Sequence, residues 1–229
     1  MENLIYKYLF EKTSDSKQKK TDLGPVVTIS REFGCSGSEI AQMLTESINK
    51  NSVKKGQNSW RSINKEILGN AAKELDSKPS KVERIMKGEE LGYWGDIIGS
   101  FLDKQYVSDE NIKNTITRVI RGFAEDGRVI IVGRAGYIVA RHVPKSFHVK
   151  LIAPFDWRVD NVDERFNLKH ADAVKTVKDI DEKRNKFLHY FKQNSTEEEN
   201  FDLIINRKGI SKQAVVDIII SALKSKNLI

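Results

Sequence analysis

The chain has 229 residues, 39% apolar and 31% charged, the balance of a globular protein in which one large domain with decorations is the simplest organisation. Lys and Arg number 39 against 32 Asp and Glu, and the net charge of +7 points weakly to phosphate-bearing partners while also serving solubility. One cysteine, Cys35, excludes an intramolecular disulfide and a cysteine-based zinc site. Four histidines with no pair at i, i+4 speak against a His-rich metal centre, and no apolar run approaches the ~18 residues that cross a bilayer.

Residues 1–23 read as a mobile N-terminal tail, because Thr13 to Asp22 is polar and has nothing to bury. Leu4, Ile5, Tyr8, Leu9 and Phe10 could dock as a short helix, and a frayed leader is the simpler reading. The opening MENLIYKYLFEK lacks a small-residue cleavage site, so a cytoplasmic, reduced setting is expected.

The domain starts at Gly24-Pro25, and Val26 to Ser30 is a compact β-branched run of the kind a parallel sheet buries. Ile40, Met43, Leu44 and Ile48 follow at i, i+3, i+4 and i+8, one apolar helix stripe. Residues 51–107 are harder to read. Trp60 to Leu68 can hold a short strand and then a helix, and Glu83 to Gln105, with Gly88, Gly92, Gly95 and Gly99, resolves into helical fragments. A second stripe runs through Ile112, Ile116, Val119, Ile120 and Phe123, with Ser108 and Asp109 as candidate caps.

Further strands are expected at Arg128 to Val132, ending at Gly133, and at Phe147 to Ile152, ending at Ala153-Pro154. After Asp156, Val159, Val162 and Phe166 mark a third helix, and Val174, Val177 and Phe191 belong to a long charged one. Phe201 to Ile205 is the last strand. Val215, Ile218, Ile219, Ala222 and Leu223, capped by Ser211, form the last helix. Strands alternating with helices imply an α/β fold with a parallel sheet and right-handed crossovers. There is no internal repeat.

The most informative segment is Ser30-Arg-Glu-Phe-Gly-Cys-Ser-Gly-Ser-Glu-Ile-Ala41, where a buried strand runs through small residues into an amphipathic helix. Gly34, Ser36, Gly37 and Ser38 let the backbone curl so that successive N–H groups point inward. The helix N-terminus adds its unpaired donors and partial positive charge, and together these make an anion cradle. Neither G-x-G-x-x-G nor G-x-x-x-x-G-K-[ST] is present, so a tight strand-to-helix turn without a ligand competes with the cradle.

The segment VVTISREFGCSGSEIAQML resembles the opening of the cytidylate kinase-like family, relatives of the P-loop nucleoside monophosphate kinases. The resemblance continues in order through VIIVGRAGYIVARHVPKSFHVKLIAPFDWRVDNVDER, DIDEKRNKFLHYF and FDLIINRKGISKQAVVDIII, covering about residues 25–225. It implies a P-loop kinase-like three-layer α/β sandwich over residues 24–229, with a five-stranded parallel sheet of order 2-3-1-4-5. It also implies a helical, acceptor-binding insertion at 51–107 and a lid at 158–190. The implied reaction is phosphoryl transfer from ATP, with magnesium, to a nucleoside monophosphate such as CMP.

Phosphoryl transfer needs fixed cations converging on the donor, and Arg suits the task because its planar fork binds phosphate bidentately. By resemblance the loop that holds ATP comprises Arg31, Gly34, Cys35, Ser36, Gly37 and Ser38, with Ser38 or Ser36 able to reach magnesium. Arg134, just beyond the third strand, would hold the acceptor phosphate. Arg158 and Arg165, seven apart on one helix face, lead into the lid, whose arginines close over the phosphates. Arg184 would approach the transferred phosphoryl group, and Asp181 would orient it or hold the lid. For each of these the competing reading is an ordinary ion pair: Asp181 and Arg184, at i, i+3, can simply bridge each other.

The chain departs from the family pattern at the centre of the loop. Gly37 takes the slot of the phosphate-binding Lys. Ser38 stands where near relatives often carry Arg, Glu39 adds negative charge beside the cradle, and Ala135 replaces an acidic partner. Asn64 lies where an acidic residue is expected near the acceptor. Losing one preorganised cation costs about 2.7–4 kcal/mol, or about 10²–10³ in rate, unless a neighbour such as Arg31 supplies the charge. Arg31 and Glu32 are expected to pair. Cys35 at a helix start could become a low-pKa thiolate, though no His is near it in sequence, and Tyr93 and Trp94 could stack a base or simply be buried. A catalytically impaired nucleotide-binding or regulatory protein is therefore the alternative to a kinase. Nucleic-acid binding ranks below both for lack of a recognition-helix or aromatic-basic strand pattern. No membrane partner is expected, and the acceptor and oligomeric state are not legible.

Overall fold

A computed structural model describes residues 24–52, 59–63, 117, 120–189 and 200–229. The expected tail at 1–23, most of the 51–107 insertion with Asn64, Tyr93 and Trp94, the caps Ser108 and Asp109, the stripe residues Ile112, Ile116 and Val119, and Phe191 lie outside the described residues.

Strand β1 (Val26–Arg31) is the hub of the sheet. It pairs in parallel with β3 (Val129–Val132) on one side and β4 (Ser146–Ile152) on the other. Strand β2 (Arg61–Ile63) adds to β3 and β5 (Leu203–Asn206) adds to β4, which completes the order β2-β3-β1-β4-β5. A strand flanked on both edges and covered on both faces has no wet side. Val26, Val27 and Ile29 are accordingly sealed from solvent, which is why β-branched residues fill this run.

The two faces of the sheet carry separate cores. Val27, Ile29, Phe147, Val149, Leu151 and Ile205 pack against α1 (Gly37–Ser52) and α5 (Lys212–Ser225). Val26, Val129 and Ile131 face Ile120 and Ala124 of the helical residues 120–126 and the short α2 (Gly136–Ala140). Helices α3 (Phe155–Phe166) and α4 (His170–His189) form a third cluster of their own through Val159, Val162, Ala173, Val177 and Ile180. Phe33, from the loop after β1, packs into this cluster.

Strands β3 and β5 and the buried face of α5 depart from the sequence reading for identifiable reasons. Strand β3 starts at Val129 because Arg128 adopts a left-handed φ of 49°. Strand β5 starts at Leu203, and Phe201 packs on Tyr137 instead, with ring centroids 4.6 Å apart. In α5 the buried row is Val215, Val216, Ile219 and Leu223, while Ile218, rotated off that row, is 40% exposed. Ser211 caps α5 as expected, its Oγ accepting from the Ala214 N–H at 3.1 Å.

All five strands run the same way, so β1, β3, β4 and β5 end on one edge of the sheet, where open α/β sheets gather ligands. The loops after β1, β3, β4 and β5 meet there.

One buried titratable group sits inside the sheet. His148 of β4 is 7% exposed, and its Nδ1 lies 2.8 Å from Thr28 Oγ1 of β1. Its backbone N–H donates to Asp202, which in turn pairs with Lys226. Burial pushes the imidazole below its ordinary pKa, Lys226 adds to the effect, and Asp202 opposes it. The folded state therefore binds a proton at His148 less readily than the unfolded chain, which takes it up near pH 6.5. Its contribution is fully present above about pH 6.5 and is lost as pH falls through that value toward the lower folded pKa. Thermal melts between about pH 5 and 7 should show stability falling on acidification, with a shallower slope in His148→Gln; parallel slopes would exclude His148 as the cause.

Candidate functional site

The loop after β1 is built around backbone curvature. Glu32 N–H still donates to Leu151 O at 3.1 Å, and the chain then turns through Gly34 at φ 91° and Ser36 at φ 55° before α1 begins at Gly37. Ser36 O accepts the first helical hydrogen bond, from Ile40 N–H at 3.0 Å. The amides of the first turn of α1 therefore end at the loop without intrahelical acceptors, the condition for an anion site.

Arg31, the last residue of β1, crosses this loop. A Cβ on Gly37 would stand 2.9 Å from Arg31 Cγ, and one on Gly133 would fall on Arg31 Nη1. The side chain thus runs over the α-carbon at the Lys slot and reaches the end of β3. There, Gly133, Arg134 and Ala135 are left-handed in succession, at φ 70°, 56° and 57°. Left-handed backbone costs a non-glycine residue about 1–2 kcal/mol. The turn holds Arg134 at the sheet edge, 8% exposed.

Arg184, from α4, completes the group. Its Nη1 donates to Arg31 O at 3.2 Å, and its guanidinium lies 5.3 Å from the Phe33 ring centroid. Burial, then the charges of Arg184 and Arg134, hold the Arg31 guanidinium well below its ordinary pKa; Asp181 only partly offsets them. Burial likewise brings Arg184 down to about 10, against the pull of Asp181, so it stays charged at neutral pH. Arg31 of β1 is therefore close enough to Arg134 of the β3–α2 loop and Arg184 of α4 for each to repel it.

Asp181 and Arg158 brace the loop. Asp181 Oδ1 accepts from Phe33 N–H at 2.9 Å and lies 3.9 Å from Arg184 Nη1, the i, i+3 ion pair the sequence allowed, while Oδ2 pairs with Arg158 Nη1. Arg158 is 7% exposed and also donates to Ala153 O at 3.1 Å and Phe33 O at 3.2 Å. Its Nε lies 3.4 Å from Glu32 Oε2, which accepts from Ala153 N–H at 2.9 Å. Gly34 lets this brace close: a Cβ there would meet Arg158 O at 2.8 Å. The carboxylate of Glu32, expected on Arg31, is thus directed to Arg158 and the β4–α3 turn. Arg158 grips the loop backbone, whereas the sequence suggested a guanidinium closing over phosphates.

Two further expectations change. Cys35 is fully buried in the core, and burial, then Glu32, pushes its thiol up to about 12, so it is no thiolate. Glu39 does not stand as an uncompensated charge, because Arg165 of α3 and Lys212 of α5 both pair with it. Arg165 is thus placed at Glu39, 2.5 Å away, rather than counted with Arg31, Arg134 and Arg184. Ser38 is exposed at the start of α1.

Sequence reasoning missed Lys212 and Arg207. Arg207, 4% exposed, follows β5 as Arg134 follows β3; its guanidinium lies 5.7 Å from the Trp157 ring centroid, and its Nη1 donates to Ile210 O. A basic residue just past a strand end was the signal available for it. Lys212 had none, because its partner is 173 residues away. Among the described residues no group of three or more His, Cys, Asp or Glu could hold a metal ion, and no helix is long and apolar enough to cross a membrane.

Comparison with known proteins agrees with this architecture. A curated relative, a uronate isomerase of Corynebacterium glutamicum, is 32% identical over 111 residues, which are 48% of this chain and 21% of that protein, so the chain matches about a fifth of that relative's length. An uncharacterised protein from Eubacterium ventriosum superposes with a TM-score of 0.61 at 20% identity, over 88% of this chain and 98% of the other. A shikimate kinase from Acinetobacter baumannii, in complex with shikimate, superposes with a TM-score of 0.50 at 10% identity, over 91% and 97%. The two superpositions show the fold alone, the α/β architecture that this shikimate kinase shares. The model of the cytidylate kinase-like family matches residues 26–209, most of the chain, and the chain belongs to that family.

Proposed function

We propose that the chain transfers the γ-phosphoryl group of ATP to a small acceptor, with a nucleoside monophosphate such as CMP as the first candidate. The observation that carries this reading is the convergence of Arg31, Arg134 and Arg184 beside the loop at 34–38. Arg134 and Arg184 repel Arg31, and an anion of high charge among them would offset that repulsion.

In the proposed reaction an oxygen of the acceptor phosphate forms a bond to the γ-phosphorus as the bond to the β–γ bridging oxygen breaks, leaving ADP. The loop amides and the N-terminus of α1 hold the donor phosphates. Arg31 supplies the charge that Gly37 lacks, Arg134 holds the acceptor phosphate, and Arg184 follows the transferred group. Asp181 and Arg158 keep the loop in shape, and Arg165 belongs to a lid spanning 158–190. The Ser38 hydroxyl would help hold a magnesium ion, which would supply neutralising charge to the donor phosphates. The acceptor base would be read by the 51–107 insertion, and the protein would work in the cytoplasm.

A second reading, nucleotide binding without turnover, is favoured by Gly37 itself: relatives place an ammonium there, and this chain has none. Coupled ADP release from purified protein, run across monophosphates, separates the two. Turnover that falls by about 10²–10³ in Arg134→Ala supports the kinase, and nucleotide binding without ADP release supports the alternative.

The role of Arg31 has its own test. Arg31→Ala should lower turnover at least tenfold with little change in melting temperature. The double variant Arg31→Ala/Gly37→Lys should recover part of the loss, because it vacates the space over the α-carbon of residue 37 and restores an ammonium there. Failure to recover would show that Arg31 does not stand in for the missing Lys.

A further inference from the structure

Glu39 occupies the first turn of α1, three residues after Ser36. Ser-x-x-Glu at a helix start ordinarily makes a capping box, in which the Glu side chain reaches back to the cap residue's amide. Here Ser36 is left-handed, not extended, and both Glu39 oxygens go elsewhere. Oε1 pairs with Arg165 at the end of α3, and Oε2 pairs with Lys212 at the start of α5. One carboxylate beside the anion cradle thus gathers cations from two elements remote in sequence.

Arg207, just past β5, is a third basic residue whose charge couples to Glu39. It is almost fully buried, its Nε has no hydrogen-bond partner among the described residues, and the charge of Glu39 reaches it. Two cations thus pair with one carboxylate at the mouth of the loop, and a third, Arg207, feels its charge.

We propose that Glu39 is an internal stand-in for ligand phosphate, and that Lys212 with Arg165 is a further pair of phosphate-binding cations which a polyphosphate chain draws away from it. The inference rests on the loop being a phosphate site, as in the reading above, but does not need turnover. Free protein keeps the two cations on Glu39. A polyphosphate at the N-terminus of α1 offers several charges where Glu39 offers one, and the cations transfer to it. Because Arg165 ends α3, the same exchange couples ligand binding to the α3–α4 hairpin. Glu39 thereby competes with the ligand, the opposite of what a purely structural ion pair would do.

Calorimetry with inorganic tripolyphosphate, on the full chain at low salt without magnesium, tests this. These ion pairs are partly exposed, with side chains 33–44% accessible, and each such pair is worth up to about 1 kcal/mol, or about fivefold in affinity. Glu39→Gln should bind tripolyphosphate about fivefold more tightly, Lys212→Ala should bind more weakly, and Glu39→Gln/Lys212→Ala should lose most of the gain. Glu46→Gln, the same charge change farther along the exposed side of α1, should leave affinity unchanged. Melting curves confirm that each variant folds. Wild-type binding with no gain in Glu39→Gln, or an equal gain in Glu46→Gln, overturns this inference and leaves the kinase reading standing. Absence of binding in every variant overturns both. The predicted affinity order without any ADP release keeps this inference and removes the kinase.

Discussion

The side chain of Arg31 lies across one α-carbon that carries no side chain and ends against another. Gly37 and Gly133 leave the space it fills, and a methyl group at Gly133 would displace its guanidinium. This one placement links the loop after β1 to the turn after β3, where Arg134 is held by left-handed backbone. It also shapes the electrostatics of the site. Arg184 is bonded to the Arg31 carbonyl, and the nearby carboxylate of Asp181 is shared among Phe33 N–H, Arg158 and, at 3.9 Å, Arg184 itself. Asp181 offsets only part of the repulsion that Arg184 and Arg134 exert on Arg31.

The architecture divides into a rigid platform and a separately packed pair of helices. The sheet and its two covering layers fix Arg31 and Arg134 through β1 and β3. Helices α3 and α4 have their own small core and bring Arg158, Asp181 and Arg184 to the loop. Phe33 is the joint: its ring packs with α3 and α4, its amide is held by Asp181, and its carbonyl is held by Arg158. A motion of the α3–α4 pair would therefore be felt by the loop backbone directly.

Much of the fold was legible because it rests on local pattern. The β-branched run of β1, the stripe Ile40, Leu44 and Ile48, and the Ser211 cap are each decided by neighbours within a few residues. The strand order came from resemblance to a family, since periodicity alone does not order strands. The site was legible in its parts but not in its pairings. That Arg31 mattered could be read from its place beside the loop. That it runs over Gly37 to Gly133 depends on β1 and β3 being neighbours. The partners of Glu32 and Glu39 were misjudged for the same reason: Arg158, Arg165 and Lys212 come from helices far along the chain. Ile218 was misplaced because a stripe marks a face without showing where the face ends.

The most direct measurement is a crystal structure of the chain with ADP bound. A β-phosphate seated on the first-turn amides of α1, with the Arg31 guanidinium within hydrogen-bond distance of its oxygens, is the predicted result. A nucleotide bound away from that loop, or an Arg31 side chain turned from the phosphate while Gly37 and Gly133 stay empty above their α-carbons, would contradict the account.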